Sequence, residues 1–150
     1  MQYPQTFIFT LLVSLNLAGN AVAACDNDSE TLFHCLTKNG KQIEVCDAGK
    51  TIKYSFGKPG KTPELAIAAK RDDASTWQWQ GVGRYMSYSI NIPNGEHNYN
   101  VFWGVDRLTE EHAEDAGVNV EKNGATLATV NCKAGTVTQN LEGVDLKPAE

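Results

Sequence analysis

The dipeptide Asn-Gly occurs three times, at 39–40, 94–95 and 123–124, each time between runs in which apolar and polar residues alternate. Asn and Gly both tolerate positive φ, which a type I′ turn requires at its two central residues, so each copy predicts a β-hairpin. Asp47-Ala48-Gly49-Lys50 adds a fourth turn. Between these marks the period-two pattern predicts strands over 32–37, 41–46, 51–56, 64–70, 76–80, 84–92, 98–107, 118–121 and 125–132. No stretch of a dozen residues carries helical spacing. Eight to nine short strands in one domain predict an all-β fold, a single small antiparallel barrel or sandwich.

Two segments interrupt the pattern. Residues 57–63 hold two prolines and two glycines and cannot sustain a ladder. Residues 108–117 read as an acidic loop. From 135 onward the alternation fades, which predicts a loosely ordered tail over 135–150.

The middle hairpin can be put in register from its turn. With Asn94-Gly95 as the two central residues, Pro93 faces Glu96, and pairing runs outward through Ile90–Tyr99, Tyr88–Val101 and Met86–Trp103. All six are apolar or aromatic and share one face. The opposite face pairs Asn91–Asn98, Ser89–Asn100 and Ser87–Phe102. Trp77 and Trp79 also share a face of their strand, and core packing is the expectation for both.

The two ends of the chain speak to compartment. Residues 7–19 form an apolar run of signal-peptide length, followed by Ala21-Val22-Ala23, so residues 1–23 read as a cleaved leader and 24–134 as the β domain. Val22-Ala23-Ala24-Cys25 also resembles a lipobox, in which Cys25 would be acylated. Cysteine parity opposes that reading. Cys25, Cys35, Cys46 and Cys132 form an even set, which in an exported chain reads as two disulfides. Three connectivities are open; the preferred one is Cys25–Cys35 with Cys46–Cys132. A periplasmic or secreted location follows, and a lipid anchor through Cys25 is the lesser alternative. No later segment is long and apolar enough to be a transmembrane helix.

Function classes are narrowed mainly by exclusion. The net charge of −5 lacks the clustered Lys and Arg that nucleic acid demands, and it suits a cationic partner. There is no G-x-S-x-G elbow, no H-E-x-x-H and no phosphate-binding glycine loop, so no catalytic residue and no cofactor is expected. Metal ligation is not expected either, since the cysteines have no C-x-x-C spacing and Glu110 to Asp115 lacks the calcium-loop pattern. A carboxylate pair brought together only by folding is the remaining route to catalysis.

Phe33-His34-Cys35, then Gly40-Lys41-Gln42-Ile43-Glu44-Val45, Tyr54-Ser55-Phe56 and the late Cys132 resemble the MliC/PliC group of bacterial lysozyme inhibitors and related surface adhesins. The resemblance implies a small exported β-barrel, often a lipoprotein, with an early and a late cysteine joined. It implies that a Ser/Gly/Tyr-bearing loop and strand enters the lysozyme cleft. The local counterpart is Gly83-Arg84-Tyr85-Met86-Ser87-Tyr88-Ser89. Cys46 and the 57–63 loop depart from the pattern. The expectation is therefore an exported, non-enzymatic binding protein that blocks a cationic cell-wall hydrolase. Arg84, Tyr85, Ser87, Ser89 and Phe102 are its candidate contact residues. The alternative is a carbohydrate- or surface-binding module that uses Trp77 and Trp79.

Overall fold

The computed structural model describes residues 25–150, so the expected leader lies outside it. The strands are β1 (Glu30–Leu36), β2 (Gln42–Asp47), β3 (Thr51–Gly57), β4 (Leu65–Lys70), β5 (Ser75–Gln78), β6 (Tyr85–Asn94), β7 (His97–Asp106), β8 (Glu114–Lys122), β9 (Ala125–Asn131), β10 (Thr138–Gln139) and β11 (Lys147–Pro148). They form two sheets, one in the order β10-β1-β2-β3-β4 and one in the order β11-β5-β6-β7-β8-β9. All pairings are antiparallel except β11 with β5. Among the described residues no helix is long and apolar enough to cross a membrane. The all-β expectation holds.

One core joins the inward faces of both sheets. Phe33, Ile43, Val45, Ile52 and Tyr54 come from the first, and Tyr88, Ile90, Ile92, Val101, Trp103 and Val118 from the second. The Tyr54 and Tyr99 rings meet across the gap with centroids 5.3 Å apart. Each large side chain removed from water in this way stabilises the fold by about 1.5–3 kcal/mol.

The three Asn-Gly turns fold in three different ways. At 123–124 both residues have positive φ, 52° and 75°, as a type I′ turn needs. At 39–40 only Gly40 is left-handed, and its N–H donates to the Thr37 carbonyl at 3.0 Å. The loop there has three residues, 38–40, because Leu36 faces Gln42 and Thr37 closes on Lys41. At 94–95 the central pair is Gly95-Glu96, with Gly95 at φ 61° and Asn94 facing His97. Glycine at the first central position is the type II′ solution. The hairpin register is therefore corrected by two residues: Tyr88 faces Trp103, Ile90 faces Val101, Asn91 faces Asn100 and Ser89 faces Phe102. A slip of two leaves every side chain on its expected face, whereas a slip of one would have inverted them.

The disulfides join Cys25 to Cys46 and Cys35 to Cys132, with Cα separations of 5.7 and 5.8 Å. This corrects the expected pairing. Cys35 points into the core, and a bridge between Thr37 and Cys132 brings the end of β9 beside it. Cys46 lies one residue out of phase with Val45, on the outer face, where the incoming chain at Cys25 crosses it.

The C-terminal segment is corrected as well, because residues 135–150 are packed and not loose. Leu141 is fully buried, β10 extends the first sheet and β11 extends the second. The Gln78 side chain donates to the Leu141 carbonyl and accepts from the Gly143 N–H, each at 2.8 Å. A chain that serves two sheets in turn and anchors by single apolar residues shows no period in its sequence.

Candidate functional site: the outer face of the second sheet

Cross-strand partners point to the same side, so the register lists the outer face directly. One row reads Trp77, Ser89, Phe102, Gly117 and Asn131 from β5 to β9. The next row reads Ser75, Asn91, Asn100, Asn119 and Thr129. On the other side of the first row lie Ser87, Gly104 and Asp115.

The asparagine row is bonded head to tail. Thr129 Oγ1 donates to Asn119 Oδ1 at 2.7 Å, Asn119 Nδ2 to Asn100 Oδ1 at 3.4 Å, and Asn100 Nδ2 to Asn91 Oδ1 at 2.8 Å. Asn91 Nδ2 completes the line on Ser75 Oγ at 3.2 Å. Asn98 sits alongside, donating to Asn91 Oδ1 and to Glu121 Oε2. Five strands are thus tied by side chains in addition to their backbone ladders.

Four of the five expected contact residues fall on this face. Tyr85 is 45% exposed at the start of β6, and Phe102 is half-buried. Ser87 lies beside Gly104. Ser89 is buried between Trp77 and Phe102 in the register and accepts from Asn100 Nδ2 at 3.2 Å. A Cβ at Gly104 would collide with the Tyr85 ring, so the tyrosine lies down over a glycine in a central strand. Partial burial and the neighbouring Asp115 carboxylate raise the Tyr85 hydroxyl above its ordinary pKa.

Arg84 stands apart. Its guanidinium grips Asp106 twice, Nε to Oδ1 at 3.1 Å and Nη2 to Oδ2 at 2.6 Å, and this hydrogen bonding lowers the Asp106 pKa. The guanidinium thus commits two of its N–H groups to a carboxylate of its own chain, and the side chain stays 59% exposed.

The two tryptophans separate, against the expectation that they share a buried face. Thr76 and Gln78 point inward with Ile90 and Tyr88, and Trp77 points outward at 49% exposure. β5 ends at Gln78, so Trp79 leaves the alternation and packs against the edge of the core. Its Nε1 donates to the Val82 carbonyl at 3.0 Å and the Arg107 guanidinium lies 4.8 Å from its ring.

The first sheet carries a separate cleft of about 290 Å³, lined by residues that include Cys25, Glu44, Cys46, Lys53, Tyr54 and Ser55. Glu44 is buried there, and desolvation raises its pKa, partly offset by the Cys25 backbone and the Ser55 hydroxyl. Ligand atoms of Cys25, Glu44 and Cys46 lie within 4.8 Å of one another. The two sulfurs are joined to each other and have no thiolate to offer a metal. The acidic loop is shorter than expected, because β8 already begins at Glu114.

The asparagine row and the Tyr85–Gly104 seat are the elements of the face that sequence reasoning missed. The period-two spacing of Asn98 and Asn100, matched by Asn91 and Asn119 on neighbouring strands, was the available signal. In comparisons with known proteins the chain matches no family model, no curated protein and no solved structure.

Proposed function

We propose that the protein is an exported, non-enzymatic binding protein whose working surface is the outer face of the second sheet. One observation carries this reading. Trp77 and Tyr85, two large rings about half exposed, sit on a single sheet face made rigid by side-chain hydrogen bonds. Rings held on an ordered sheet face suit recognition, because little side-chain freedom is lost when a partner docks.

Export is supported by the two disulfides and by the apolar N-terminal run. Cys25 bonded to Cys46 has no thiol left to acylate, which favours a soluble product over a lipid-anchored one. A cationic wall hydrolase is the second reading of the partner, supported by the net charge of −5 and by Asp115 on the face.

The test is protection of tryptophan emission from an aqueous quencher while the protein is titrated with solubilised wall glycans and with cationic lysozymes. One ligand is expected to shield the accessible tryptophan, and Tyr85→Ala, which leaves that reporter in place, should weaken the binding. Shielding of Trp77 that survives Tyr85→Ala with undiminished affinity would place the working surface elsewhere.

A further inference from the structure

Resting on that reading of the surface, we infer that its ligand is an uncharged glycan chain laid across β5 to β8. Trp77 stands on β5, and the Tyr85 ring lies over Gly104 on β7. The two platforms are separated by two strands, about 10 Å, and by one side-chain step, about 7 Å, along them. That diagonal is the scale of a short oligosaccharide. Tyr85 is seated on a glycine beside Asp115, and Trp77 stands in register with buried Ser89. Their free faces carry the negative side of the aromatic quadrupole, which attracts the weakly positive C–H groups of a sugar ring.

The floor between the platforms is mixed, with the half-buried Phe102 ring on β7 next to Gly104 and small polar groups beside it. Ser89 is small, and Gly104 and Gly117 contribute no side chain. From Trp77 the diagonal starts beside the asparagine row and runs away from it toward Gly104, so a sugar unit at the Trp77 end can turn its hydroxyls toward Asn91 and Ser75. Within the described chain one N–H of Asn119 Nδ2 in that row is unused. The remaining amide valences hold the row itself in place, so little rotamer freedom is lost when a ligand arrives.

Charge selects the class of glycan. The ionic groups on these rows are the carboxylates Asp115 and, beside Asn98, Glu121, with exposed Lys147 of β11 opposite Ser75 at the far edge. Arg84, at the margin, is closed on Asp106. Near the Tyr85 platform phosphate, sulfate and uronate would meet repulsion from Asp115, with Lys147 at the opposite edge beyond Ser75, whereas neutral and N-acetylated sugars would not. A protein partner fits less well. A stable protein interface covers roughly 800 Å² per side around a contiguous apolar centre, and here only Trp77 and Tyr85 stand exposed, with Ser87 and Ser89 between them and Phe102 half-buried.

The experiment is calorimetric titration of the purified protein with neutral hexasaccharides of chitin, cellulose and xylan, with anionic oligogalacturonate and with a cationic lysozyme. At least one neutral oligosaccharide should bind, more tightly as its length grows to span both rings. Trp77→Ala and Tyr85→Ala should each weaken it about tenfold, and Trp77→Phe should restore most of the loss. Oligogalacturonate should not bind.

Absence of neutral-glycan binding at millimolar concentration overturns the inference. If lysozyme then binds and Tyr85→Ala abolishes that binding, the surface reading stands and only the ligand class is wrong. Glycan binding indifferent to both alanine variants would overturn the site together with the surface reading. Both side chains are half exposed, and circular dichroism of the variants verifies their fold.

Discussion

Asn100 Nδ2 donates to Asn91 Oδ1 at 2.8 Å, and that bond is the centre of a line of side chains crossing five strands. Both amides are partly shielded from water, where a hydrogen bond is stronger and a lost partner costs more. Asn100→Ala removes the donor to Asn91 and to Ser89 and the acceptor for Asn119. It should destabilise the protein by about 1–3 kcal/mol, seen as a lower urea midpoint with an unchanged slope. Asn100→Asp should cost more at neutral pH, because a carboxylate facing Asn91 Oδ1 supplies no proton.

The seating of Tyr85 on Gly104 makes a coupled pair. Gly104→Ala places a methyl group where the phenol lies and should cost about 1–3 kcal/mol. Tyr85→Ala in the same chain should recover part of that loss. A double-mutant cycle by chemical denaturation is expected to show coupling above about 0.5 kcal/mol. Strict additivity would mean that the ring does not rest there.

The two disulfides differ in the loops they close. Cys35–Cys132 spans 97 residues and Cys25–Cys46 spans 21. In the chain-entropy account they stabilise by about 4.7 and about 3.3 kcal/mol. Replacing Cys35 and Cys132 by serine should therefore lower the denaturation midpoint more than replacing Cys25 and Cys46. Non-reducing proteolysis with mass spectrometry should recover only the peptides linked 25–46 and 35–132.

Glu44 and Asp106 respond to pH in opposite senses. Burial raises the folded-state pKa of Glu44, so folding favours its protonated form. Stability from this group is full below the unfolded carboxyl range and is lost as pH rises through the folded value. Glu44→Gln should therefore raise the thermal midpoint at pH 7, with the gain vanishing toward about pH 4. The hydrogen bond from Arg84 lowers Asp106, whose contribution is present above the unfolded pKa and fades as pH falls through the folded one. Thermal melts of Glu44→Gln and Asp106→Asn across this range check the two signs.

Much of the fold was legible because alternation is a local property. Nine expected strands have counterparts, and the apolar face of the middle hairpin was identified although its register was two residues off. Turn type was not legible from Asn-Gly alone, since one dipeptide supports three loop geometries according to what its neighbours pair with. Trp77 was misassigned for a related reason. A period-two pattern shows that Trp77 and Thr76 face opposite ways, and hydrophobicity chose the wrong one for the interior. In the fold Thr76 sits inside with its Oγ1 bonded to the Ser89 carbonyl, which releases Trp77 to the surface.

What the sequence determined alone was the class of structure: short strands, hairpin punctuation, an even set of cysteines and one domain, all set by spacing along the chain. What only the tertiary structure decided was which strands lie side by side. That adjacency paired Cys35 with Cys132 over 97 residues, packed the aperiodic C-terminus onto both sheets and drew Asn91, Asn100 and Asn119 into one row. Each is a contact between residues distant in sequence. Such contacts are chosen by the fit of whole faces in the core, and no local pattern records that choice.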